Sequence, residues 1–297
     1  MLLLSLHFMK ITIDKAAGFC PGVKLAIKKA DQFLEKEAEF HCLGSLLHNE
    51  MEMGRLSDDG LKIVEKETIP LLEGKKLLFR AHGEPPETYD LTKENDVEVI
   101  DATCSVVRKL QKDVKSAAEE MEKLGGQVVI FGKPQHPEVM GLMGHTKGLG
   151  VVIRAAQDLA KVDMSRPVRL FSQTTMDDIS FELIAKAIKE QMERKNPASD
   201  LESYNTICKH VLNRVPLLKK FASEHELIIF VSGRESSNGK KLFNTCLEVN
   251  PGTHFISETS EMNAEWFAGM ETVGISGAAS TPQWLMKEVA KKIEALT

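Results

Sequence analysis

The chain has 297 residues, 42% of them hydrophobic and 27% charged, a composition that fits an ordinary folded protein and not a collagen-like, coiled-coil or disordered one. Its net charge of −5, with no long Lys/Arg block, leaves out the electrostatic footprint of a nucleic-acid binder. The apolar start MLLLSLHF is too short for a signal peptide or a membrane span, so no membrane partner is expected, Met9 is expected to be the native start, and the five cysteines are expected to be reduced thiols in the cytoplasm.

From Met9 onward, short strands alternate with amphipathic helices, the pattern of parallel sheets covered by helices. The alternation restarts three times. A strand-like run leads to each of three cysteines: KITIDKAAGFC to Cys20, VEVIDATC to Cys104 and YNTIC to Cys208. Each cysteine is followed by a helical stripe: Val23, Ile27, Ala30 and Leu34, then Val107, Leu110, Val114 and Ala117, then Val211, Val215, Leu218 and Phe221. Next comes an apolar strand that runs into a polar cluster, in FHCLGSLLHN, QVVIFGKPQHPE and ELIIFVSGRESSN. These place His48, His136 and Ser236 at 28, 32 and 28 residues beyond their cysteines. The last strand of each unit ends alike, in KLLFRAHG, VRLFSQTT and TVGISGAAST, which places His82, Thr174 and Ser280 at 62, 70 and 72 residues beyond.

This spacing predicts an α/β protein of three pseudo-symmetric parallel-sheet lobes, residues 1–100, 101–202 and 203–297, with the polar stretch 193–202 as a linker. One such unit is small for burying both faces of a sheet, so the lobes should share their packing. Ligands of open α/β sheets bind beyond the carboxyl ends of the strands, where all six polar clusters fall.

Cys42 and Cys246 sit among apolar residues and read as small buried hydrophobes with no further role. Cys20, Cys104 and Cys208 share one place in the repeat and read as metal ligands. Three thiolates suit an iron-sulfur cluster with one open iron or a catalytic zinc with an exchangeable position, and ligand type alone does not decide between them. There is no CxxC, so the site must be assembled from distant segments. Ser236, Ser237 and Asn238 precede a helix, where they form a natural phosphate site or a simple N-cap. His48, His82, Thr174 and Ser280 would add donors around the same anion. Glu138 is the exception, because a carboxylate repels phosphate, and its use is to give a proton. Capping of the next helix is its plainer reading.

Taken in order, GFCPGV, LLHN, RAHG, DATC, HPEVMG, SQTT, NTIC, SSN and ASTP resemble the motifs of the 4-hydroxy-3-methylbut-2-enyl diphosphate reductases, from Met9 to the C-terminus. The resemblance implies a trefoil of lobes around one [4Fe-4S] cluster per chain, held in a central cavity by Cys20, Cys104 and Cys208. It implies an allylic diphosphate substrate bound by His48, His82, His136, Thr174, Ser236, Ser237, Asn238 and Ser280, with Glu138, His136 and Thr174 serving the chemistry. Two residues depart from the family pattern: Ser105 stands where Pro is common, and Val215 follows Arg214 where Gln is common. No GxGxxG motif is present, so electrons are expected from a ferredoxin or a flavodoxin-like protein. A zinc lyase and a non-catalytic redox sensor are the rival readings.

Overall fold

Strands and helices alternate through the described residues, 9–296, of the computed structural model. The side chain of Ser237 and the expectation made for residues 1–8 lie outside that description. One sheet holds β2 (Phe40–Leu43), β3 (Leu61–Val64), β4 (Lys76–Phe79) and β5 (Glu98–Asp101), in the order β3-β2-β4-β5. A second holds β6 (Gln127–Phe131), β7 (Gly150–Ile153), β8 (Val168–Ser172) and β9 (Leu201–Tyr204), in the order β7-β6-β8-β9. In the third, β10 (Leu227–Val231), β11 (Thr253–Ile256) and β12 (Thr272–Gly277) combine with β1 (Lys10–Ile13), in the order β11-β10-β12-β1. The strands run parallel, so the α/β class and the three parallel sheets stand as expected.

The three orders are the same order, and they correct one reading of the repeat. The strand that approaches each cysteine is the outer strand of the preceding sheet. β5 pairs with β4, β9 with β8, and β1 closes the third sheet against β12, Lys10 opposite Thr272 through Ile13 opposite Ile275. Periodicity locates a strand but says nothing of its partner, which is why β1 was expected among residues 1–100. Nor is 193–202 a free linker. Its first residues finish α6 (Asp178–Lys195) and its last two open β9.

By contact, the chain forms two compact units: residues up to 27 with 45–61 and 213–297, and residues 28–44 with 62–212. The second unit contains the second sheet. On one face of that sheet, Leu110, Val114 and Met121 of α4 (Ser105–Leu124) pack with Val128 and Ile130; on the other, Phe181, Ile184 and Ile188 of α6 pack with Val129 and Leu170. Both faces are buried, and every residue of β6 and β8 is inside, the polar Gln127, Arg169 and Ser172 as well as the apolar ones. α4 keeps its whole expected stripe inside and ends on Gly125 at φ +66°, the left-handed cap that glycine takes without strain. In the other unit, α9 (Gln283–Leu296) buries Leu285, Val289 and Ile293 on one face of the third sheet, and Leu218 and Leu242 cover the other. The stripe of α7 (Lys209–Ser223) departs from expectation: Leu218 is fully buried, Val211, Val215 and Phe221 only half, and Arg214 is buried beside them.

Candidate active site

The polar clusters lie at the carboxyl ends of the two inner strands of each sheet. β2 leads through His48 and Asn49 to α2 (Glu50–Asp58), β6 through His136 to α5 (Pro137–Gly144), and β10 through Ser236 to α8 (Ser237–Val249). All three junctions are capped. Asn49 Oδ1 accepts the Glu52 N–H at 3.0 Å, His136 Nδ1 accepts the Glu138 N–H at 3.1 Å, and Ser236 Oγ accepts the Gly239 N–H at 3.0 Å. His82, Thr174 and Ser280 follow β4, β8 and β12 in turn.

Each repeat cysteine is fixed by the same bond. The N–H groups of Cys20, Cys104 and Cys208 donate to the carbonyls of Ala279, Ala81 and Thr174 at 3.3, 3.0 and 2.9 Å, and each acceptor stands two residues beyond β12, β4 or β8. All three thiols are half-buried, and each stands immediately before a helix: α1 (Pro21–Leu34), α4, which Cys104 caps, and α7. None of these helices has an acid in its first turn, so no first-turn carboxylate stands beside the three sulfurs. Cys42 and Cys246 are fully buried instead, and burial pushes both thiols up to about 12, which keeps them neutral. The donor set therefore fits an iron-sulfur cluster. Among the described residues no three His, Cys, Asp or Glu side chains gather round one ion, and a cluster needs no such gathering because each thiolate binds its own iron.

In the unit of residues 28–44 and 62–212, the carboxyl of Glu138 is 2% exposed and meets Thr174 twice. The Thr174 N–H donates to Oε1 and the Thr174 hydroxyl to Oε2, both at 2.7 Å. Those bonds favour the carboxylate, but burial outweighs them and raises the Glu138 pKa to about 7. Its neighbour His136 uses Nδ1 as an acceptor, so in the neutral ring Nε2 carries the proton and is a donor. The His82 and His136 rings are 5.1 Å apart, edge to face. Gly83 holds the turn beside His82 at φ +72°, where a Cβ would come 2.4 Å from Gln111 Nε2. One supporting residue stands just before Thr174 in the SQTT run. Gln173, 1% exposed, accepts the Lys133 N–H at 3.0 Å and donates to Thr175 Oγ1 at 2.9 Å, tying the strand-end loop before His136 to the one that carries Thr174. Its place in the sequence is directly after the last residue of β8, a strand buried along its whole length.

In the other unit, the Ser280 hydroxyl donates to the His48 carbonyl at 3.2 Å, and Gly233 lies so close that a Cβ there would be 2.5 Å from the same oxygen. Ser280 and the Gly233 turn, whose carbonyl accepts the Ser236 N–H at 3.1 Å, thus both meet the His48 backbone. Trp284 Nε1 donates to the buried Glu52 at 2.6 Å, which fixes α2 against α9. The first turns of α8 and α9 carry no acid, as an anion requires. Ser105 is the exposed first residue of α4, and Val215 packs on the third sheet, so neither departure replaces a site residue.

A sequence profile of the LytB protein family matches residues 11–294. The chain belongs to the LytB family. Over 287 residues it is 45% identical to the 4-hydroxy-3-methylbut-2-enyl diphosphate reductase of Bacteroides fragilis, covering 97% of this chain and 98% of that one. Over 288 residues it is 46% identical to the enzyme of the same name from Porphyromonas gingivalis, covering 96% and 99%. A solved structure of (E)-4-hydroxy-3-methyl-but-2-enyl diphosphate reductase, described as the terminal enzyme of the non-mevalonate pathway, superposes with a TM-score of 0.75 at 32% identity over 97% of this chain and 100% of that one. The Plasmodium falciparum E-1-hydroxy-2-methyl-but-2-enyl-4-diphosphate reductase shares the fold, with a TM-score of 0.79 at 23% identity over 95% of this chain and 87% of that one. No described helix is long and apolar enough to cross a membrane.

Proposed function

We propose that this chain reduces (E)-4-hydroxy-3-methylbut-2-enyl diphosphate to isopentenyl and dimethylallyl diphosphates, the last step of the non-mevalonate route to isoprenoid precursors. The allylic C–O bond breaks, the oxygen leaves as water, and the carbon skeleton gains a hydrogen, at a cost of two electrons and two protons. Family membership supports the reaction, and the buried Glu138 supports the assignment of its acid.

Cys20, Cys104 and Cys208 would hold one [4Fe-4S] cluster, consistent with their equivalent strand-end bonds and helix N-termini. When bound there, the cluster supplies electrons and a Lewis-acidic site for the allylic oxygen. The rest of the work belongs to side chains. With its pKa near 7, Glu138 holds a proton at neutral pH and can pass it along the 2.7 Å bond to Thr174 Oγ, which releases its own to the leaving oxygen. His136 presents Nε2–H, and with His48, His82, Ser236, Ser237, Asn238 and Ser280 it replaces the hydration that the diphosphate gives up. Gln173 holds Thr174 in register with His136. Electrons arrive from a ferredoxin or flavodoxin-like protein. Five cysteines free of disulfides suit a reducing compartment, and we assign the enzyme to the cytoplasm.

Glu138→Gln, purified without oxygen, tests the reading. It should keep its iron and sulfide yet form almost no product. Full activity in that variant would remove Glu138 from the chemistry, and a role as a cluster-bearing sensor without catalysis would follow if the native protein also formed none.

A further inference from the structure

Each strand that approaches a repeat cysteine ends in the same small turn. Asp14 Oδ1 accepts the Ala16 N–H at 2.9 Å, Asp101 Oδ1 accepts the Thr103 N–H at 2.8 Å, and Asn205 Oδ1 accepts the Ile207 N–H at 3.3 Å. The three differ in what holds the turning residue. Asn205 Nδ2 donates to Asp178 at the surface, and Asp101 meets Arg108, 3.1 Å away and half exposed. Asp14 meets Arg214 inside the protein, where both side chains are 6% exposed.

Arg214 stands on α7, six residues beyond Cys208. Its Nη2 donates to Asp14 Oδ2 at 2.7 Å, to Ser276 Oγ at 2.7 Å and to the Gly277 carbonyl at 3.4 Å, while Ser276 Oγ donates to Asp14 Oδ2 at 3.0 Å. The pair therefore grips both segments that place Cys20. One is the approach 14–20, which is further tied where Gln283 Nε2 donates to the Ala17 carbonyl at 2.9 Å and where Gly18, at φ +98°, admits no side chain. The other is the end of β12, where Ala279 receives the Cys20 N–H.

A buried ion pair is weak ground for stability, because desolvation consumes most of the attraction and apolar replacements often do as well. This one is a poor stabiliser even by that standard, since Arg214 Nη1 is buried with no hydrogen-bond partner among the described residues. We infer that Asp14 and Arg214 are positioning residues for Cys20, holding its approach against the end of β12 so that the thiolate meets the cluster in one fixed geometry. This rests on the iron-sulfur reading above.

The test compares Arg214→Met alone with the double variant Asp14→Asn, Arg214→Met, which keeps the Oδ1 acceptor of the Ala16 N–H, each loaded with cluster under anaerobic conditions beside the native protein. The single variant leaves a buried unpaired carboxylate, and its apoprotein should melt at a lower temperature. The double variant should regain the native melting temperature yet give up its iron to a chelator roughly 10–100-fold more readily, with altered EPR of the reduced cluster. Native iron retention and EPR in the double variant would overturn the inference, and so would a melting temperature that stays low, because the pair would then serve the fold. A native protein without iron and acid-labile sulfide would instead defeat the iron-sulfur reading itself.

Discussion

The junction after β6 and the junction after β10 occupy the same place in sheets of the same order, and both are capped by a side chain accepting a backbone N–H. They differ in charge. α5 begins with a buried carboxyl, Glu138, whereas α8 begins with Ser237, Asn238 and Gly239 and has no acid in its first turn. One scaffold thus yields two tools. Open helix N–H groups with neutral donors suit an anion, while the same geometry with a desolvated carboxyl suits proton delivery. The difference shows that position in the repeat tells where chemistry occurs, and the local charge tells which chemistry it is.

Removing the carboxyl from the first junction should have the largest effect. Glu138→Gln should lower kcat roughly 10²–10⁴-fold with little change in KM, measured in anaerobic assays at matched iron content. Adding a carboxyl to the second junction should act on binding. Asn238→Asp places a negative charge beside the diphosphate, at a cost on the order of 1–4 kcal/mol, so KM should rise about tenfold or more while kcat changes less. A fall in kcat without a change in KM would mean that the two junctions do not divide the work as described.

The charge contrast also has a pH signature. Glu138 is active as the acid, so kcat should fall about tenfold per unit above pH 7, and an unchanged rate up to pH 9 would rule Glu138 out as the proton donor. Its folded pKa, about 7, lies above the usual 4.5, so the native state binds the proton more tightly than the unfolded chain does. The native protein should therefore lose stability relative to Glu138→Gln as pH rises from 4.5 to 7, which denaturant titrations at several pH values would read. The smallest effect belongs to the cap. Ser236→Ala should cost about 1 kcal/mol of folding stability, with a modest rise in KM.

Much of the site was legible because the repeat marks strand ends, and strand ends are where α/β sheets present side chains. The cysteines, the histidines, Thr174, Ser236 and Ser280 all fall there. What could not be read are facts about partners. The pairing of β1 with β12 depends on hydrogen bonds between residues some 260 positions apart, to which a period of two is blind. The burial of Arg214 depends on Asp14, distant in sequence, and a lone Arg in a helical stripe reads as solvent-exposed until its partner is seen. The bridging role of Gln173 depends on Lys133, 40 positions away in sequence, to which the local pattern is equally blind. The two hydrogen bonds from Thr174 that hold the Glu138 carboxyl join residues 36 positions apart, which the local pattern does not reveal.

The most direct test of the account is anaerobic turnover of the purified protein with (E)-4-hydroxy-3-methylbut-2-enyl diphosphate and a one-electron reductant, with iron, sulfide and zinc measured on the same sample. The account predicts about four irons and four sulfides per chain, two electrons consumed per substrate, and both isopentenyl and dimethylallyl diphosphates as products. Zinc without sulfide, or an intact cluster with no product, would contradict it.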